Sequence, residues 1–243
     1  MKLIILADKV VGLHITQFLL KEYPEDLSLV VTTQENEIYY LVKNQGIPVT
    51  IFDSEEGVKS RLTEIIDLGV MAWWPKILKT LLLEIPIHGF INTHPSLLPY
   101  NRGKHYNFWA LVEQAPFGVT LHRVDSGVDT GDIVAQKKIP YDWCDTGGTL
   151  YIKAQEAIES LFYQTYPMLR TGIFDSTRQK TDGGSFHHSY EMDQASFIDL
   201  DQIYRGRDLI NLLRARTFEG YPACTFKDSG NHYEISVKIR KVS

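Results

Sequence analysis

The chain has 243 residues, 44% hydrophobic and 23% charged, enough apolar material for one sizeable core or a core with a small appendage. With 25 basic against 30 acidic residues it carries a formal charge of −5, which argues against a surface built mainly to grip nucleic-acid phosphates or anionic lipid. Two cysteines, Cys144 and Cys224, make neither a disulfide framework nor a metal knuckle, and no apolar run reaches the roughly 20 residues of a membrane span.

The first apolar run, residues 3–7, stops at Asp8-Lys9 and is followed by a helical pattern through Leu20. It is too short for a signal peptide, so the expected setting is soluble, reducing and cytoplasmic. A β-branched strand at 27–33, a helix over 37–44, a short extended piece at 48–52 and a helix from Ser54 to Asp67 come next. Residues 69–74 read as a strand, a helical stretch ends near Glu84, and 88–92 is strand-like again. Buried strands alternating with helices predict βαβ units and a mostly parallel sheet.

After Pro99 the pattern changes. Residues 118–124 alternate as a strand does, residues 133–141 read as its neighbour, and a turn-rich loop (125–132) joins them. Leu150, Ala154, Ala157, Ile158 and Leu161 fall at helical spacing within a helix over 148–169. Residues 171–200, rich in Gly, Asp, Ser and His, read as an ordered wrap. A short helix (208–215) and a hairpin (221–226 with 233–239, around 228–231) close the chain. The expected organisation is an α/β domain over 1–170 and a C-terminal wrap, helix and β-hairpin over 171–243.

Open parallel sheets bind ligands beyond the carboxyl ends of their strands. The polar residues expected there are Asp8-Lys9, the segment 73–76, and Asn92-Thr-His94-Pro-Ser96. No GxGxxG follows the first strand and no GxxxxGK[ST] occurs, so the dinucleotide and nucleoside-triphosphate motifs are absent. Asn92 and His94 stand two apart on an extended segment and so project from one face. The amide is a donor for a developing oxyanion, and the imidazole exchanges protons near neutrality. Asp129, in the later loop, can orient that imidazole if the loop folds over the strand end; taken alone it is an ordinary turn aspartate.

Asn92-Thr-His-Pro-Ser-Leu-Leu-Pro99, then Asn101-Arg-Gly103, Gly118-Val-Thr-Leu-His122 and Val128-Asp-Thr-Gly-Asp-Ile133 resemble the hallmark segments of the N10-formyltetrahydrofolate-dependent formyltransferases. The resemblance is strongest over about residues 65–170. It implies a Rossmann-like formyltransferase domain in which Asn92, His94 and Asp129 are catalytic, formyl is carried by N10-formyltetrahydrofolate, and no metal takes part. It further implies that the folate lies against Trp74, Lys76, Ile77 and Leu78 on one side and Val124, Asp125 and Val128 on the other. Trp73 and Trp74 read equally as core aromatics, and Lys76 equally as a solvated side chain. For the substrate the resemblance points to Lys9, Tyr100, Asn101, Arg102 and Lys104, with Lys9 at a helix N-terminus suited to phosphate.

The tail narrows the acceptor. Residues 180–188, 199–201, 206–218 and 220–224 resemble sugar N-formyltransferases that act on nucleotide-linked amino sugars, notably dTDP-4-amino-4,6-dideoxyglucose in bacterial surface-polysaccharide pathways. This implies a nucleotide-sugar substrate and a homodimer built through the C-terminal hairpin, with no nucleic-acid or membrane partner. Phe218 and Tyr221 read either as packing residues or as rings against a nucleotide base. A methionyl-tRNA formyltransferase-like enzyme and a catalytically silent folate-binding module are the alternatives.

Overall fold

The computed structural model describes residues 1–180 and 182–242. Its elements, in chain order, are β1 (Leu3–Ala7), α1 (Lys9–Glu22), β2 (Leu27–Thr32), α2 (Glu37–Asn44), β3 (Val49–Ile51), α3 (Glu55–Ser60), β4 (Leu68–Ala72), α4 (Thr80–Leu83) and β5 (Phe90–His94). There follow β6 (Arg102–Gly103), α5 (Tyr106–Val112), β7 (Gly118–Arg123), β8 (Ile133–Lys138), α6 (Gly147–Leu169), β9 (Phe186–His187), α7 (Glu191–Ala195), α8 (Gly206–Arg216), β10 (Cys224–Asp228) and β11 (Asn231–Ile235).

Seven strands form one sheet in the order β3-β2-β1-β4-β5-β7-β8. The first five are mutually parallel, and β7 runs antiparallel to β5. This is the α/β fold expected from the alternation of apolar runs with helical patterns. β1 and β4 are buried along their whole length, as strands covered on both faces must be. Strand order reverses between β1 and β4, the position where open sheets leave a crevice at their carboxyl ends. Lys137 and Lys138 on the outermost strand are exposed charges of the kind that keep a sheet edge from pairing further.

The chain divides into two compact units. The first comprises residues 1–94, 120–136 and 158–179, the second 95–119, 137–157 and 180–243. In the first unit one face of the sheet is a core of Ile4, Leu6, Leu29, Val31, Met71 and Phe90, with Trp74, Leu78 and Leu82 packed on it. On α1, Gly12 brings the helix against the ends of β1 and β4: a Cβ there would stand 2.9 Å from the Ala72 carbonyl oxygen and 3.1 Å from the Ala7 carbonyl carbon. Both obstacles are backbone, so Gly12→Ala forces the helix off the sheet despite its better helix propensity. Urea unfolding is expected to show a net loss of about 1–3 kcal/mol.

In the second unit α5 packs on α8. Ile198, Leu213 and Cys224 form a small core, joined by Tyr204, Leu209, Phe226 and Val237. There α6 begins at a reciprocal cap, in which the Thr146 N–H donates to Thr149 Oγ1 and the Thr149 N–H to Thr146 Oγ1. The hairpin turns on Ser229 and Gly230, both at positive φ (47° and 80°), which fits a two-residue type I′ loop.

The structure shifts several element boundaries. The helix after Ser54 ends at Ser60, because Asp67 must leave it to pair with the chain start: the Lys2 N–H donates to its carboxylate and the Asp67 N–H to the Lys2 carbonyl. Helix α5 was not anticipated, since it begins at left-handed His105 with no side-chain cap to mark it. The hairpin strands lie at 224–228 and 231–235, closer to the turn than the sequence suggests. The wrap contains two short elements, β9 paired with β6, and α7.

Candidate active site

The last residues of β5 carry the first groups of the site. Asn92 sits opposite His122 of β7, and His94 opposite Thr120. Between these two residues, Thr93 points to the other face, where its hydroxyl donates to the Met71 carbonyl and accepts the Trp73 N–H, both at 3.1 Å. This tie fixes the strand end on which the site is built.

Asp129 arrives from the loop between β7 and β8. The loop is closed at its base by the Arg123 N–H donating to the Asp132 carbonyl (2.8 Å). Inside it, Asp125 Oδ1 accepts the Gly127 N–H (3.0 Å) and the Thr130 hydroxyl (2.7 Å). At Gly131 the chain passes so near β7 that a Cβ would meet the Arg123 carbonyl oxygen at 1.8 Å. The loop is thus a built turn that brings Asp129 Oδ1 to 3.4 Å from His94 Nδ1. His94 is buried and Asp129 nearly so, in surroundings where a charge on the carboxylate favours the protonated imidazole.

A second histidine completes the cluster. His122 Nδ1 lies 2.8 Å from the Arg123 carbonyl, which only accepts, so this nitrogen carries the hydrogen. In the neutral ring Nε2 then offers a lone pair, and it accepts from Asn92 Nδ2 at 3.2 Å. The Asn92 amide is thereby oriented with one N–H on His122, and among the described residues no acceptor meets the other. His122 Nε2 also stands 3.7 Å from Asp129 Oδ1. The ligand atoms of His94, His122 and Asp129 lie within 4.8 Å of one another, a spacing that a metal ion could bridge. A metal would have to displace the Asn92 N–H from His122, so the existing hydrogen bonds suit proton handling better. His122 had no role in the sequence reading: as one residue of an alternating strand, only its place within the quoted motif marked it.

The segments expected to meet folate divide by exposure. Leu78 is buried in the core, Trp74 is buried against Phe52, and Val124 packs on the same cluster. Ile77 is 78% exposed and Val128 41%, two apolar side chains left open to a ligand. The Trp74 indole N–H is buried without a hydrogen-bond partner among the described residues. An exposed aliphatic pair and an orphan donor fit a flat, partly polar ring system. Lys76 lies over the Phe52 ring, 4.6 Å from its centroid, and Asp125 is engaged by its own loop.

The residues expected at the substrate are placed as follows. Lys9 is exposed at the start of α1, but its N–H donates to Asp8 Oδ1 at 2.9 Å. Asp8 also accepts the Thr33 hydroxyl at 2.9 Å, so a carboxylate already stands at the helix N-terminus that was offered to phosphate. In the second unit Asn101 is buried and donates through Nδ2 to Glu113 Oε2 (2.8 Å) and Ser185 Oγ (3.2 Å), which makes it a scaffold for its loop instead of a ligand contact. Arg102 and Lys104 donate their backbone N–H groups to the Ser185 and His187 carbonyls, and the Lys104 side chain is exposed. Tyr100 is half-buried beside them.

A parallel sheet that ends in an Asn, a His and a loop Asp gathered at one point defines a class of protein. Residues 22–165 match the family model described as Formyl transferase, and the chain belongs to that family. Residues 191–241 match a second model, described as N-formyltransferase dimerization C-terminal domain. Among individual proteins, the methionyl-tRNA formyltransferase of Agathobacter rectalis is 31% identical over 180 residues, covering 69% of this chain and 57% of the relative. The dTDP-4-amino-4,6-dideoxyglucose formyltransferase of Mycobacterium bovis is 26% identical over 149 residues, covering 61% and 63% respectively. The chain therefore spans less than two thirds of the length of these curated relatives. The crystal structure of a 4-N formyltransferase from Francisella tularensis shares the fold with a TM-score of 0.83, covering 99% of this chain and 98% of that one at 22% identity.

Proposed function

We propose that this chain transfers the formyl group of N10-formyltetrahydrofolate to the primary amine of a nucleotide-linked amino-dideoxy sugar, specifically dTDP-4-amino-4,6-dideoxyglucose. The observation that carries the reading is the contact of His94 Nδ1 with Asp129 Oδ1, beside an Asn92 amide oriented by His122. The folate supplies the formyl carbon on N10 and takes up a proton there as it leaves. Asn92 donates its free N–H, and protonated His94 its second ring N–H, to the formyl oxygen as negative charge develops on it. Asp129 holds His94 in place; the neutral amine attacks the formyl carbon, and Asp129 accepts the proton that this nitrogen sheds as the new C–N bond forms and passes it to N10 as the C–N10 bond breaks.

Residues 1–170 act here as the catalytic domain, with Ile77 and Val128 on the folate and the exposed Lys9 side chain, whose backbone N–H and not its ammonium is what Asp8 engages, on the nucleotide sugar. Residues 171–243 form the dimerisation element. A two-stranded hairpin is marginal alone, and Tyr221 and Tyr233 are exposed on and beside it, so a second copy of the chain is the surface they fit. The match of residues 191–241 to an N-formyltransferase dimerization domain supports the homodimer, and the similarity to a dTDP-4-amino-4,6-dideoxyglucose formyltransferase supports the sugar acceptor. Among the described residues no helix is long and apolar enough to cross a membrane, and both cysteines are free, in keeping with a cytoplasmic setting. The identity to methionyl-tRNA formyltransferases makes charged initiator tRNA the second acceptor to consider.

Release of tetrahydrofolate, followed by absorbance with each acceptor in turn, tests the assignment. Turnover is expected with dTDP-linked 4-amino sugars and not with methionyl-tRNA; the opposite pattern would replace the sugar with the tRNA. Tight folate binding with no turnover on any amine would reduce the chain to a binding module.

A further inference from the structure

Asp129 has a φ of +54°, in the left-handed region that a non-glycine residue occupies only when its surroundings hold it. A side chain from outside the loop adds a further tie to those at its base and inside it. Gln179 Nε2 donates to the Asp129 carbonyl at 3.0 Å and to the Gly131 carbonyl at 2.6 Å, using both hydrogens of the amide nitrogen. It is 7% exposed and lies 50 residues from Asp129 in the chain. The strap that delivers it is itself fixed: Thr177 and Ile133 exchange both backbone hydrogen bonds, and Arg123 Nε donates to Ser176 Oγ at 3.2 Å.

We infer that Gln179 is a positioning residue for the transfer reaction: by clamping the carbonyls on either side of Thr130 it holds the left-handed turn that keeps the Asp129 carboxylate on His94. The inference rests on the proposed role of Asp129 but not on which amine accepts the formyl group. The chemistry selects an amide. Both partners are acceptors, so only a donor with two hydrogens on one atom serves them together. Glutamate at this position has the same shape and turns an acceptor, and a negative charge, toward both carbonyls.

Gln179→Glu and Gln179→Leu test the role, with melting temperature and circular dichroism reporting the fold. In each, kcat is expected to fall about tenfold to hundredfold while KM for both substrates stays within about threefold, because geometry at the reacting atoms is lost and not ground-state binding. In the Asp129→Asn background, Gln179→Leu should lower kcat no further. By NMR, the His94 imidazole should titrate at lower pH in Gln179→Leu, since the carboxylate no longer stands on it. A folded variant with kcat within twofold of wild type would overturn the inference, as would an undiminished effect in the Asp129→Asn background. The NMR comparison uses no substrate, so a wrong acceptor leaves it valid, and an unmoved His94 titration overturns the inference by itself. Gln179→Glu, which preserves volume, carries the test if the leucine variant does not fold.

Discussion

His94→Asn and Asp129→Asn are each expected to lower kcat by at least about 10²–10³-fold, or about 2.7–4 kcal/mol of barrier, the usual cost of removing a preorganised group that meets charge only in the transition state. The prediction follows from the contact geometry. Asp129→Asn keeps the size of the side chain and removes the charge that stands 3.4 Å from His94 Nδ1, so the imidazole loses its reason to be protonated. His94→Asn removes the cationic donor itself. Because the two act as one unit, the double variant should be little worse than either single one. Neither residue is a core packing group: His94 ends β5 and Asp129 lies in a loop, so circular dichroism should show an intact fold. Steady-state release of tetrahydrofolate measures the effect. A rate within about tenfold of wild type, a barrier change of only about 1.4 kcal/mol, would remove these residues from the mechanism.

Those two side chains stand out through the family segments that carry them; local pattern alone says less. An Asn-x-His ahead of a proline is an extended step with both side chains on one face, and the Gly- and Asp-rich stretch around Asp129 reads as a turn. The strands and their parallel order were legible for a similar reason, since full burial writes a continuous apolar run. What escaped is what depends on distant partners. Nothing near Gln179 in the polar stretch 171–200 indicates that its amide bridges two carbonyls of another loop. His122 reads as one polar step of an alternating strand until the pairing of β5 with β7 sets it opposite Asn92. Lys9 reads as an anion contact from its place at a helix start, and the hold of its neighbour Asp8 on the Lys9 backbone N–H is visible only with the rotamer. Helix α5 is unmarked in the sequence because its N-terminus has no side-chain cap, and the Tyr141 hydroxyl that meets the Ala110 carbonyl in its last turn comes from 31 residues away.

The largest stability effect is expected far from this site, at Asp26. This residue sits in a single helical turn before β2, and nothing in the sequence Pro-Glu-Asp distinguishes it from a surface turn. The structure buries it completely and surrounds it with donors. Oδ2 accepts the Tyr166 hydroxyl at 2.9 Å and Arg170 Nε at 2.8 Å, Oδ1 accepts Arg170 Nη2 at 2.9 Å, and the N-terminal ammonium lies 3.5 Å from Oδ1. Arg170 in turn stacks over Tyr23, 4.9 Å from the ring centroid. Burial pushes the Asp26 carboxyl up, but the hydrogen bonds from Arg170 and Tyr166 and the nearby positive charges outweigh it and hold the group below the usual aspartate value. Asp26→Asn leaves Arg170 and the ammonium facing a neutral amide, and should cost about 2–4 kcal/mol at pH 7, with Tyr166→Phe costing about 1–2 kcal/mol. The pH dependence follows from the direction of the shift. A carboxyl with a depressed folded value stabilises the native state fully at pH above its unfolded value, near about 3.9, and the contribution is lost as pH falls through the folded value. The gap in urea midpoint between wild type and Asp26→Asn should therefore be constant from pH 7 to about 5 and shrink steadily below about 4. A gap that stays constant down to pH 2, or no gap at neutrality, would show that the carboxylate gains nothing from its partners. In that case the end of α6 would be held to the turn before β2 by ring packing of Phe18, Tyr23, Phe162 and Tyr166 and by the contact of Arg170 with Glu25.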